Sequence, residues 1–157
     1  MAFVERDGTR SVALRRNTRG EFYVDVRLEG VLIKDVLIDS GATCALGIPA
    51  RVMAAAGVAP TQSVRALTAN GAAQFRTGRG RVSVGGASID GGEIMENLGG
   101  AESVLGTGFL RAFHWSLDAQ RCELTLRPAH SLLETIGRGG SWDALARSAC
   151  ARWQGNR

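Results

Sequence analysis

At 157 residues with 45% hydrophobic side chains, the chain is long enough for one compact domain with a buried core. Only 6% of residues are aromatic and 21 are glycine, a balance that favours short strands and tight turns over a helical bundle. The net charge of +4 comes from arginines scattered along the chain with Lys34 as the sole lysine, and the lone Tyr23 offers little for base stacking, so no nucleic-acid partner is expected.

From Met1 to Gly20 the chain carries Arg10, Arg15, Arg16 and Arg19 and has no apolar stretch of signal-peptide length. No later run approaches a membrane span; the odd cysteine count fits a reducing compartment, so the expected location is cytoplasmic, or membrane-anchored or periplasmic if an N-terminal anchor has been removed. Strand character begins at Ser11 to Leu14. It continues from Glu21 to Leu28, where Phe22, Val24, Val26 and Leu28 alternate with polar positions, and from Val31 to Ile38. Asn17 to Gly20 and Glu29-Gly30 supply the turns between them. Pro49 to Ala56, with proline near its start and Gly57 just past its end, predicts one short helix.

Ser63 to Ala69 and Ala72 to Val84 flank Asn70-Gly71, a strong two-residue hairpin signal. Gly78, Gly80, Gly85 and Gly86 are expected to mark further bends. A strand from Ala87 to Met95 follows, and Thr107 to Phe113 reads as a capped helical turn. Trp115 to Asp118 and Glu123 to Leu126 predict a closing hairpin through Ala119 to Cys122. The expected division is a mostly β domain over residues 1–128 and a helical tail over residues 129–157. In that tail Trp142, Leu145, Ala146, Ala149 and Trp153 recur at helical spacing and are expected to cover an apolar patch of the domain, the alternative being a partner-binding helix.

Three cysteines, Cys44, Cys122 and Cys150, without a CxxC spacing, and two histidines, His114 and His130, suggest neither a disulfide framework nor a zinc site; no metal or cofactor is expected. The chemistry is concentrated elsewhere. In Val36-Leu37-Ile38-Asp39-Ser40-Gly41-Ala42 an apolar strand ends in a carboxylate, followed at once by a hydroxyl and by a glycine that permits a sharp loop. A carboxylate so placed is held at the edge of the core. Hydrolysis by an acid–base pair requires two such groups sharing one proton around a water, and this chain has one such segment. Two identical chains meeting across a two-fold axis would supply the second copy.

These residues resemble the retropepsin-like aspartic peptidases, and more closely their single-domain bacterial members, over Ser11 to Pro128. Three pieces carry the resemblance in order: Asp39-Ser40-Gly41-Ala42, Thr68-Ala69-Asn70-Gly71, and Val104-Leu105-Gly106 followed by Thr107-Gly108-Phe109-Leu110. The resemblance implies a single-lobe, closed or partly open β-barrel with one or two short helices and a flap hairpin. It also implies a homodimeric endopeptidase in which Asp39, Ser40 and Gly41 are catalytic. Ala42, Thr68, Ala69, Asn70 and Gly71 would contact an extended peptide substrate. Ser40 stands where the bacterial members more often have threonine. A site with alanine at position 42 is expected to work at less acidic pH than an equal site with serine or threonine there. The rival from another class is a silent dimerisation or peptide-binding module of the same fold. A thiol enzyme built on Cys44 with His114 or His130 would need the imidazole beside the sulfur. Gly106-Thr107-Gly108 lacks the third glycine and the βαβ unit of a dinucleotide loop.

Overall fold

The computed structural model describes residues 3–4, 8–68, 71–97 and 102–129; the predicted tail helix and His130 lie outside the described residues. Twelve strands and two short helices are described. The first strands are β1 (Phe3–Val4), β2 (Arg10–Ala13), β3 (Arg15–Arg16), β4 (Phe22–Leu28), β5 (Val31–Ile38) and β6 (Leu46–Pro49), followed by α1 (Ala50–Ala55). Then come β7 (Gln62–Thr68), β8 (Gly71–Val84), β9 (Ala87–Asn97), β10 (Val104–Leu105), α2 (Thr107–Leu110), β11 (Phe113–Asp118) and β12 (Glu123–Pro128). Among the described residues no helix is long and apolar enough to cross a membrane.

The alternation read along β4 is the alternation that buries it: Val24, Val26 and Leu28 point into the main core at 0 to 1% exposure. Glu29 and Gly30 both take positive φ (48° and 81°) and close the hairpin onto Val31, as a two-residue turn of matching twist requires. Within β5 a bulge shifts the register between Val24 and Val26, so Ile33 and Val36, three residues apart, both face that core. Asp35 takes φ 56° at the bulge, its amide bonds to Asp25 Oδ1 (3.2 Å), and Arg15 joins Asp25 and Asp35. Leu37 therefore turns to the opposite face.

The strands form two sheets. One has the order β1-β2-β12-β11; the other runs β3-β4-β5-β10-β6-β9-β8-β7, and β4 also pairs with β8 through Arg27↔Ser83 and Leu28↔Val82. That extra pairing curls the larger sheet back on itself, which makes it a partly closed barrel wall around Val24, Val26, Leu28, Leu46, Ile48, Ile94 and Leu105. Leu124 and Leu126 of the smaller sheet complete the same core.

Three local expectations are corrected. Gly78 and Gly80 lie inside the continuous strand β8 and make no bends; Gly78 leaves room for the Ala59 carbonyl, which an added Cβ would meet at 2.6 Å, and Gly80 leaves room for Leu28. The turn comes at Gly85-Gly86, between Val84 and Ala87. The expected turn at Asn70-Gly71 is not met at Gly71, which is the first residue of β8 (φ 108°) and pairs with Thr68; Ala69 and Asn70 lie outside the described residues. Finally, α2 stops at Leu110 because the chain must turn into β11, and its start has no side-chain cap.

Candidate active site

The segment after β5 is built by strand order. β10 lies between β5 and β6, parallel to the first (Leu37↔Val104, Ile38↔Leu105) and antiparallel to the second (Leu105↔Leu46). The connection from β5 to β6, residues 39–45, must therefore arch over the end of β10. Asp39 is the first residue of that arch and is half-buried. Its amide donates to the Leu105 carbonyl (3.0 Å), so the backbone of Asp39 continues the β5–β10 pairing while its side chain leaves the sheet.

Asp39 then organises the loop. Gly41 N–H donates to Asp39 Oδ1 (2.8 Å) and Ala42 N–H to the Asp39 carbonyl (3.1 Å), an aspartate-led turn that fixes the carboxylate by its own backbone. A Cβ on Gly41 would stand 3.1 Å from that same Oδ1, so a side chain there would crowd the acceptor. Ser40 and Gly41 are exposed, and Ala42 is fully buried at 0%. Of the residues expected to meet substrate, Ala42 thus contributes to the floor under the loop; Gly71 is exposed at the start of β8, Thr68 ends β7, and Ala69 and Asn70 lie outside the described residues.

Underneath runs Gly106-Thr107-Gly108. Gly106 N–H donates to the Ala45 carbonyl (3.1 Å), Gly108 N–H to Cys44 O (3.1 Å), and Thr107 N–H to Ala42 O (2.7 Å). Backbone lies against backbone here. An added Cβ on Gly106 would sit 2.3 Å from Cys44 O and 2.7 Å from Ala42 O; on Gly108 it would sit 2.5 Å from Ala45 N. The glycines are there because two main chains cross at contact distance. The Thr107 hydroxyl, expected to cap a helix, instead donates to Ala42 O (3.0 Å).

A second apolar cluster, separate from the main core, joins the arch to the β7–β8 hairpin. Leu37, Ala42, Cys44, Phe75, Met95 and Val104 form it, with Tyr23 and Ala73 packed at its margin. Phe75 comes from β8 and is completely buried. The hairpin that the resemblance identifies as the flap is thus rooted in the same cluster as the Asp39 loop. Sequence reading passed over Phe75; its signal was one large aromatic within Ala72-Ala73-Gln74-Phe75-Arg76, a side chain such a hairpin has reason to keep only if it buries it.

Polar groups border this cluster. Asn97, 5% exposed, donates from Nδ2 to Glu102 O (2.7 Å) and so ties together the ends of β9 and the segment leading to β10. Gly47 makes space for it, since a Cβ there would stand 2.8 Å from Asn97 Oδ1. Tyr23 OH donates to Glu102 Oε1 (3.2 Å) and accepts from Asn17 Nδ2 (3.3 Å). Burial, the hydrogen bond to Glu102 and the charges of Glu102 and Glu21 together push the Tyr23 phenol up. Cys44 is a buried thiol, 1% exposed, and His114 is exposed on β11 of the other sheet, so Cys44 is not available as a nucleophile paired with His114.

No protein-family model matches the chain, and no curated protein matches it. Among solved structures, a crystal structure of a retropepsin-like aspartic protease from Rickettsia conorii is similar over 77% of this chain and 94% of that chain, at TM-score 0.56 and 21% identity. The solution structure of the simian foamy virus (mac) protease is similar over 57% of this chain and 91% of that chain, at TM-score 0.45 and 19% identity. The likeness to the Rickettsia protein concerns the fold, and by it the body of this chain has the fold of the retropepsin-like aspartic proteases.

Proposed function

We propose that the chain is one half of an aspartic endopeptidase, active as a homodimer, that hydrolyses peptide bonds through a water held between Asp39 of each subunit. The observation that carries this reading is the placement of Asp39. It is a half-buried carboxylate at the end of an apolar strand, on a loop anchored from below by residues 105–108 and sharing its apolar floor with the β7–β8 hairpin. A solvated turn aspartate has no need of such a foundation.

In the proposed dimer the two carboxylates share one proton. The ionised one takes a proton from the water as it attacks the scissile carbonyl, and the protonated one donates to the carbonyl oxygen. Collapse of the tetrahedral species returns a proton to the leaving amine. Ser40 and Gly41, exposed beside Asp39, face the two-fold partner and the substrate respectively. An extended peptide lies between this floor and the hairpin, held largely through backbone hydrogen bonds.

The test is incubation of the full chain with a denatured protein from acid to neutral pH, alongside Asp39→Asn, with the solution mass measured in parallel. Cleavage by the wild type alone and a mass twice the 16.6 kDa of the chain are expected. A stable particle of single-chain mass, or equal cleavage by both proteins, would sink the proposal. A dimer that binds peptides and never cleaves them would favour a silent binding module.

A further inference from the structure

We infer that Thr107 is a positioning residue for Asp39, acting through the Ala42 carbonyl. The two ends of the Asp39 loop are tied to nearly consecutive residues of one strand-to-helix passage. At the front, Asp39 N–H bonds Leu105 O (3.0 Å); at the back, Ala42 O receives both the amide (2.7 Å) and the hydroxyl (3.0 Å) of Thr107. Between these ties lie Ser40 and Gly41, with Gly41 N–H on the Asp39 carboxylate (2.8 Å). A displacement at Ala42 is passed through this short turn to the carboxylate itself.

The hydroxyl adds what the amide alone does not. An amide fixes the carbonyl along one direction, and a second donor from the same residue removes the remaining rotation of the Ala42 peptide. The side chain is not spent on α2, whose start lies at Gly106 with no side-chain cap. Gly106 and Gly108, by admitting the loop backbone at contact distance on both sides of Thr107, bring its hydroxyl into reach. The Gly-Thr-Gly run, which lacks the third glycine and the βαβ unit of a dinucleotide loop, is in this fold the cradle of the carboxylate loop.

For its catalytic consequence the inference rests on the proteolytic reading above, and the experiment separates the two. Thr107→Val keeps the shape and amide and deletes the hydroxyl; Thr107→Ser restores it. Hydrogen exchange of the Ala42 amide, which needs no turnover, is expected to be about ten-fold faster in Thr107→Val than in wild type and close to wild type in Thr107→Ser. With a cleavable substrate, Thr107→Val is expected to lower kcat about ten- to a hundred-fold at a KM within about three-fold, because a misplaced catalytic group costs rate more than binding. Leu124→Val, in the other sheet, serves as a control of comparable destabilisation and should leave both readouts unchanged per folded molecule. The inference is overturned if Thr107→Val exchanges at the wild-type rate, or if Val and Ser at position 107 are equally impaired. If the wild type cleaves nothing, the proteolytic reading fails, and the exchange rates still decide whether Thr107 holds the loop.

Discussion

Gly106→Ala is the substitution whose cost follows most directly from the structure. The backbone at Gly106 (φ −108°, ψ −177°) is extended and open to any residue, so the penalty is purely steric. The added methyl would stand 2.3 Å from Cys44 O, 2.7 Å from Ala42 O and 3.0 Å from Ala42 C, and all three are main-chain atoms that no rotamer change can move. Relief requires the arch to lift by several tenths of an ångström. Overpacking of this kind costs about 1–3 kcal/mol. The lift also strains the bonds from Gly106, Thr107 and Gly108 to the arch, and losing one or two of them adds about 1 kcal/mol each. The expected total is about 2–5 kcal/mol, a large share of a typical domain stability of about 5–15 kcal/mol. Urea unfolding followed by circular dichroism measures it as a lowered midpoint at unchanged slope. Gly57→Ala is the reference, because an added Cβ there meets nothing within 4 Å and only the φ of 73° objects, at about 1 kcal/mol. A Gly106→Ala protein as stable as Gly57→Ala would refute the crossing of main chains described here.

Phe75→Ala should cost about 3–5 kcal/mol and raise amide exchange in both the β7–β8 hairpin and the Asp39 loop, since one cluster roots them; exchange confined to the hairpin would deny the link. Burial pushes the Asp25 carboxyl up, but hydrogen bonds from Arg15 and the Asp35 amide and the charges of Arg15 and Lys34 outweigh it and hold the group below its usual 3.8. Its contribution is therefore present above the unfolded-state value and disappears as pH falls through the folded one. With side chains 51% and 38% exposed the Arg15–Asp25 pair is worth no more than about 0.5–1 kcal/mol, so the stability gap between wild type and Asp25→Asn should be small at neutral pH, close as the pH falls below the usual carboxylate range and shrink in high salt. A gap that widens on acidification would reverse the assignment. Tyr23→Phe removes the bonds to Glu102 and Asn17 and should lower stability by about 1 kcal/mol, measurable by thermal unfolding, with the cluster beneath intact.

Much of this molecule is written in local pattern. The alternation of Phe22 to Leu28, the Glu29-Gly30 turn and the length of Val31 to Ile38 follow from side-chain period and turn chemistry, which act between near neighbours and are legible in one chain. The apolar strand ending at Asp39 and the glycine two residues on are legible for the same reason. Glycines are where local reading fails, because the residue serves two unlike purposes. Gly86 (φ 86°) is glycine for a turn, Gly85 serves both a turn (φ 55°) and the close approach of Val12, and Gly78, Gly80, Gly106 and Gly108 are glycine because something distant in sequence comes close.

What the tertiary structure alone decided is therefore a matter of crossings. That β10 inserts between β5 and β6 and forces the Asp39 connection into an arch depends on pairing over some 65 residues of separation, which no window along the chain contains. The same insertion turns Thr107 from an apparent cap into a clamp on Ala42, and places Phe75 beneath a loop with which it shares no sequence proximity. The sequence by itself determined which residue carries the carboxylate and which strand delivers it. The packing of three distant segments determined what holds that carboxylate still.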